Sequence, residues 1–367
     1  MYLKRLLLKN FRSFSNKQIE FSPSINCILG NNGIGKTTLL EAIIFLSTGK
    51  SFRTNQYTDL IQEGKEYMYI EGHFVHQEED LEIKVFFNGK QKKISQNGIA
   101  KNTFSSLLSS FPSVIFTPLD MQLIDYSPIY RRRFLNIQQA QIDEEYRYHL
   151  YRFSKVLQQR NSALRMRKSS LVVPWEASLS ESGFYITQKR ERMVEELNGF
   201  IKKNTAHLSD YSEEFMLSYA PSIPNIGNIS QLCSVYEENR ERDIRNQITT
   251  LGIHRDDLLF VQKKSPKQMK KFSSEGQKRT ALFAMKLAEW HRLEQTTEKS
   301  PIFCLDDLSL HLDSQRLENF THSLTALKQV IITSPVPLPI QIPSMHSIML
   351  ASATVSLTPS VAPSLEK

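Results

Sequence analysis

The segment Gly30-Asn31-Asn32-Gly33-Ile34-Gly35-Lys36-Thr37 narrows the fold more than any other part of the chain. It matches the pattern G-x-x-x-x-G-K-[ST], which average composition produces by chance in a chain this long roughly once in a hundred. Context sharpens the match. The apolar run SINCILG, ending at Gly30, reads as a buried strand, and a helix is expected from about Lys36 to Ser47 with Gly49 as its stop. Glycines let backbone N–H groups turn inward toward an anion, and the helix N-terminus adds its dipole. Lys36 is expected to reach the β- and γ-phosphates of ATP and the Thr37 hydroxyl to ligate Mg²⁺, with Thr38 as the last residue of the cradle.

Two further motifs fit such a loop. Residues 301–307, PIFCLDD, form an apolar strand ending in two carboxylates. A strand buried on both faces opens its C-terminal tip at the ligand crevice. Asp306 is expected to hold Mg²⁺, directly or through water, and Asp307 to orient or deprotonate an attacking water. An acidic turn after a core strand is common, and the upstream P-loop is what gives this one chemical meaning. Ser273-Ser274-Glu275-Gly276-Gln277 opens a long helix expected at about 274–294. Ser274 and Gln277 have capping-box spacing, while Ser274, Gly276 and the helix N-terminus together suit an anion. The segment resembles the ABC signature in its position, about thirty residues before the carboxylate strand. That motif acts on ATP held by a partner subunit, so one P-loop and one signature per chain imply that a complete site needs two chains.

A length of 367 residues suits two domains or one domain with a large insertion. Residues 1–30 and 67–95 read as strands, with Asn88-Gly89 as a hairpin turn. Residues 129–168, 186–205 and 231–250 carry helical patterns, with a loop at 221–228. Apolar strands are expected at 302–305 and 329–333, then a proline-rich stretch and a last strand near 346–355. The expected architecture is α/β. An ATPase domain is split over 1–125 and 245–357, a mainly helical second domain is inserted at 126–244, and a disordered tail follows at 358–367. Cys27, Cys233 and Cys304 are far apart, and no Cys/His cluster suggests a metal site. No apolar run reaches membrane-span length and the N-terminus lacks a signal-peptide pattern, so the expected location is the cytoplasm, with no membrane partner.

Beyond these motifs, the chain resembles the RecF family, bacterial recombination-mediator ATPases related to SMC-type heads. The resemblance rests on an ordered set of segments spanning about residues 1–334. These are Leu8-Lys9-Asn10-Phe11-Arg12, Gly49-Lys50-Ser51-Phe52-Arg53-Thr54, Phe116-Thr117-Pro118, Tyr130-Arg131-Arg132-Arg133-Phe134-Leu135, Gln159-Arg160-Asn161-x-x-Leu164 and Gly252-Ile253-His254-Arg255-Asp256-Asp257-Leu258. It implies an ABC-type, SMC-like head that dimerises on ATP, hydrolyses it slowly and binds double-stranded or gapped DNA. By the same resemblance the partners are RecR and RecO, and the outcome is loading of the RecA recombinase at gaps, in DNA damage repair and the SOS response. Arg12 and Arg53 become candidates for phosphate contact. The chain departs from the family at Leu119, where a carboxylate is usual, and at Leu310-His311-Leu312-Asp313, where Ser-Glu-Leu-Asp is usual.

A net charge of +8 makes an acidic polymer a plausible partner. The DNA-contact candidates fall in two basic regions: Lys263, Lys264 and Lys267 before the signature, and Arg160, Arg165, Arg167 and Lys168 in the middle block. Solvated surface charge is the competing explanation for any one of them. No groove-reading motif is evident, so phosphate contacts are expected to dominate. The nucleotide-binding subunit of an ABC transporter is the alternative, disfavoured by Thr333-Ser334-Pro335 lacking a switch histidine, by Glu275 in place of a second glycine, and by the middle block. A nuclease or primase finds no metal-ligand cluster beyond the carboxylate strand.

Overall fold

The computed structural model describes residues 1–77, 79–108, 110–208, 214–263, 267–307, 314–338 and 345–350. The chain opens with β1 (Tyr2–Phe11), β2 (Phe14–Glu20), β3 (Ile25–Leu29) and α1 (Lys36–Thr48). There follow β4 (Met68–His76), β5 (Glu79–Phe87), β6 (Lys92–Gln96), β7 (Ile99–Lys101) and β8 (Ser113–Phe116). A helical stretch holds α2 (Met121–Asp125), α3 (Pro128–Ala140), α4 (Glu144–Arg165) and α5 (Ser169–Leu208). Then come β9 (Phe215–Ala220), α6 (Ile229–Glu238), α7 (Arg240–Asn246), β10 (Asp257–Gln262), α8 (Met269–Phe272) and α9 (Glu275–Thr297). The body closes with β11 (Ile302–Asp306), α10 (Ser314–Thr325), β12 (Val330–Ser334) and β13 (His346–Met349).

Five strands form a parallel sheet in the order β13-β3-β12-β11-β8. β3 and β12 are buried along their whole length, including the polar Asn26, Thr333 and Ser334, as strands covered on both faces are. Alternate residues of β11 serve different cores. Ile302 and Cys304 face α1 and the antiparallel sheet β2-β1-β4-β5-β6-β7, while Phe303 and Leu305 face α9, α5 and α10. The result is a layered body with every parallel strand tip at one edge. Asn88-Gly89 makes the expected turn, with Gly89 at φ 85°.

The middle block is helical apart from β9, which pairs with β10. The helical pattern at 129–168 is two helices, because Asp143 caps a new one by accepting from the Tyr146 N–H. The first half of α5 packs in the arm with Tyr146, Phe153 and Tyr236. The second half, through Met193, Leu197 and Ile201, packs with Phe283 and Leu287 of α9. The segment 126–244 therefore shares a core with the ATPase body. No helix among the described residues is long and apolar enough to cross a membrane.

Candidate nucleotide-binding site

The P-loop leaves the tip of β3 and enters α1. Gly33 and Gly35 take φ 81° and 105°, the left-handed region where a side chain is strained. At Gly35 a Cβ would also meet Phe14 Cζ at 2.7 Å and Ser13 Oγ at 2.9 Å, so the β1–β2 hairpin lies across the loop. At Gly30 it would meet the Leu350 carbonyl oxygen at 3.0 Å, because the end of β13 closes beside the loop. Asn31, Asn32 and Gly33 form the exposed tip, and Ile34 and Thr38 seat the loop on the body. Lys36 is buried, and its Nζ donates to the carbonyls of Gly30 at 2.5 Å and Asn31 at 3.0 Å. The ammonium thus spans the cradle from below, where a phosphate would compete for it.

The neighbouring strand tips complete the site. Thr37 Oγ1 donates to Asp306 Oδ1 at 3.0 Å and Oδ2 at 2.9 Å. Thr333, at the end of β12, donates from Oγ1 to Asp306 Oδ1 at 2.7 Å and accepts from the Asp307 N–H at 3.1 Å. Asp307 takes φ 57°, which turns the chain out of the sheet there. The donor set around Thr37 and Asp306 is a hydroxyl and a carboxylate, the hard oxygen chemistry that Mg²⁺ requires. Thr333 enters the sequence reading only as part of a region without histidine, yet it fixes both carboxylate residues.

Arg12 and Arg53 meet on one group that no motif reading named. Glu41 of α1 is fully buried and accepts from Arg12 Nη2 at 2.8 Å, Ser51 Oγ at 2.5 Å and Arg53 Nη1 at 3.4 Å. This carboxylate positions both arginines beside the loop. The available signal was one acid inside the apolar helix KTTLLEAIIFLST.

Ser274 caps α9, whose first turns lie past the tip of β8, where Lys278 pairs with Asp125 at 2.6 Å. Ser274 Oγ accepts from the Gln277 N–H at 3.3 Å while Gln277 Oε1 accepts from the Ser274 N–H at 2.9 Å. Ser274 is exposed and Gly276 half-buried, so this helix N-terminus faces outward.

The basic residues divide. Arg160 must be withdrawn as a DNA contact. It is fully buried, with Nη1 on Asp243 at 2.6 Å and Thr249 at 2.9 Å and Nη2 on Glu176 at 3.1 Å. Lys263 pairs with Glu214 at 2.6 Å, and Lys267 lies over the Phe272 ring at 5.1 Å. Arg165, Arg167 and Lys168 are exposed together at the turn between α4 and α5. Lys264, the loop Leu310-His311-Leu312-Asp313 and the tail at 358–367 lie outside the described residues.

Residues 2–337 match the family described as RecF/RecN/SMC N terminal domain. A DNA replication and repair protein RecF of Protochlamydia amoebophila is 37% identical over 346 residues, 92% of this chain and 95% of that protein. Its counterpart in Clostridium acetobutylicum is 33% identical over 337 residues, 90% of this chain and 92% of that protein. A solved structure of the recombination mediator protein RecF with ATP, in the RecFOR pathway, has a TM-score of 0.85 at 29% identity over 95% of both chains. An SmcHead bound to the C-winged helix domain of ScpA shares the fold alone, with a TM-score of 0.51 at 18% identity over 92% of this chain and 91% of that one.

Proposed function

The chain belongs to the RecF family, within the RecF/RecN/SMC N-terminal class, and on that premise we propose that it is an ATP-dependent DNA-binding protein of recombinational repair and replication maintenance. Its fold is the ABC-type, SMC-like head. It binds ATP and Mg²⁺, closes as a homodimer over the nucleotide, and helps load a recombinase at gapped DNA in the cytoplasm, together with RecO and RecR. The observation that carries this reading is the separation of two half-sites within one chain. The cradle of Lys36, Thr37 and Asp306 sits at the strand tips, while Ser274 stands exposed and Gly276 half-buried at the start of α9. The ABC-transporter reading is not favoured, because the likeness to RecF proteins runs over nearly the whole chain.

When bound, Mg²⁺ neutralises phosphate charge, and Thr37 and Asp306 are the residues to hold it. Lys36 exchanges loop carbonyls for phosphate oxygens. Asp307 holds the attacking water and accepts its proton. DNA lies against the exposed tip of the arm at Arg165, Arg167 and Lys168, through phosphate contacts. The test is molecular mass in solution, with and without ATP and duplex DNA. Wild type is expected to double in mass with ATP, and Ser274→Arg to bind ATP as a monomer. A Ser274→Arg protein that still dimerises with ATP would overturn the two-chain site.

A further inference from the structure

The outer face of the antiparallel sheet carries a side-chain cluster that the nucleotide site does not use. Glu71 and His73 are two residues apart on β4 and so share a face. The register sets Glu82 of β5 directly opposite His73, and Arg5 of β1 opposite it on the other side. Glu71 Oε1 lies 2.6 Å and Glu82 Oε1 3.5 Å from His73 Nε2. One ligand atom from each of the three falls within 4.8 Å of the others. The side chains are 13%, 28% and 29% exposed for Glu71, His73 and Glu82, held by the sheet yet reachable from solvent.

Hydrogen bonding alone leaves this arrangement in conflict. His73 Nε2 is 2.6 Å from Glu71 Oε1 and also 2.6 Å from the Arg5 guanidinium. A ring nitrogen offers either one proton or one lone pair. With the proton it serves Glu71 and meets Arg5 donor to donor. Without it, the nitrogen serves Arg5 and meets the carboxylate lone pair to lone pair. A metal cation in place of the guanidinium removes the conflict, since the lone pair and both carboxylates then face positive charge. The Arg5 side chain is 38% exposed, and its Nη2 also lies 3.5 Å from Glu71 Oε1, the position a metal would take. Outer partners are already set. Tyr69 Oη donates to Glu71 Oε2 at 2.5 Å, and Lys84 Nζ lies 2.7 Å from Glu82 Oε2. Each carboxylate thus has one oxygen fixed by a neighbour and the other turned toward His73, the support that metal ligands receive.

We propose that Glu71, His73 and Glu82 form a Zn²⁺-class divalent metal site on the outer face of the sheet, with Arg5 as a resident counter-cation that the metal displaces. An imidazole with two carboxylates suits Zn²⁺ better than Mg²⁺ or Ca²⁺. A tetrahedral zinc with ligands at about 2.0–2.1 Å needs ligand atoms roughly 3.3 Å apart, a spacing that small side-chain rotations reach here. Three protein ligands leave a fourth position for water or for a group from another molecule.

The experiment uses the full, tag-free chain, stripped with chelator and titrated with Co²⁺ and then Zn²⁺. One Co²⁺ per chain with a visible absorption band, displaced by Zn²⁺ and not by Mg²⁺, is expected. His73→Ala and Glu82→Gln are each expected to remove the band, Tyr69→Phe to weaken binding about 10-fold, and Arg5→Ala to strengthen it. Metal-free thermal unfolding and ATP binding, measured on every variant, distinguish a lost site from a lost fold. Absence of binding by both wild type and Arg5→Ala overturns the proposal. So does a cobalt band that survives in a folded His73→Ala protein.

Discussion

In the nucleotide cradle, Gly35, Lys36 and Thr37 are contiguous, and one loop's backbone sets their work. In the arm, Arg160 finds Glu176, Asp243 and Thr249 at separations of 16, 83 and 89 residues. Both regions carry cations that sequence reading assigns to phosphate. Only in the cradle does local spacing determine where the charge ends up. The arm's family segments prove to be parts of several long-range ion pairs. Arg131 holds Asp257 at 2.6 Å, while Asp256 accepts from Arg190 at 2.8 Å and from the Ser222 N–H at 2.8 Å. A charge in such a buried pair builds the fold, whereas an exposed charge is left for a ligand.

The sharpest way to break that contrast is Arg160→Ala. It leaves Asp243 buried without its cation, while Glu176 keeps Arg240 at 2.6 Å, so stability should fall by about 3 kcal/mol. Chemical denaturation measures this, and an unchanged midpoint with lost DNA affinity would restore Arg160 to the DNA surface. Next comes Lys36→Met, which removes a buried charge from the phosphates. ATP affinity should drop by about 3 kcal/mol, or roughly 100-fold, with little effect on folding. Asp307→Asn should still bind ATP and lose roughly 100-fold or more in hydrolysis, read by phosphate release, and wild-type turnover would remove it from that role.

A smaller effect separates the two basic surfaces. Neutralising Arg165, Arg167 and Lys168 together should flatten the log–log salt dependence of duplex binding by about 0.9 per lost phosphate contact. The same treatment of Lys263, Lys264 and Lys267 should change it less, since Lys263 already pairs with Glu214. Equal slopes for the two triple variants would remove the preference for the arm tip. The smallest effect belongs to Glu289 in α9. Burial pushes its carboxyl up to about 7, with Lys286 opposing and Asp120 adding to the rise. The folded state therefore holds this proton more tightly than the unfolded chain. Its contribution is fully present below the usual carboxylate range and lost as pH rises through about 7. Raising the pH from 6 to 7 should cost about 1 kcal/mol, and Glu289→Gln should flatten that part of the thermal-unfolding profile.

What was legible follows the same division. The P-loop, the strand ending in Asp306 and the capping box at Ser274 are contiguous and stand where expected, as do the stop at Gly49 and the turn at Asn88-Gly89. β9 was hidden because FMLSYA is only six residues, lies between helical patterns, and is stabilised by pairing with β10 far along the chain. Glu41 was invisible for a related reason. A buried carboxylate declares its role only through its partners, and Arg12 and Arg53 stand 29 and 12 residues away. The basic residues of the middle block are plain in the sequence. How much of their charge faces water depends on acids supplied by α5, α7 and the segment before β10.

The 40-residue α5 has mechanical consequences. At 1.5 Å per residue it is about 60 Å long, a single strut with one half in the arm and the other against α9. Arg292 of α9 grips it at Glu196, 2.8 Å away, and Asn204 donates to the Ala284 carbonyl at 3.2 Å. The helix that presents Ser274 is thereby bolted to the base of a lever. A tilt of about 5° at that joint carries the Ser169 end through roughly 4 Å, over a lever of about 45 Å set by the helical rise. In the proposed dimer, docking at Ser274 would be geared to the spacing of the two arm tips through this one helix.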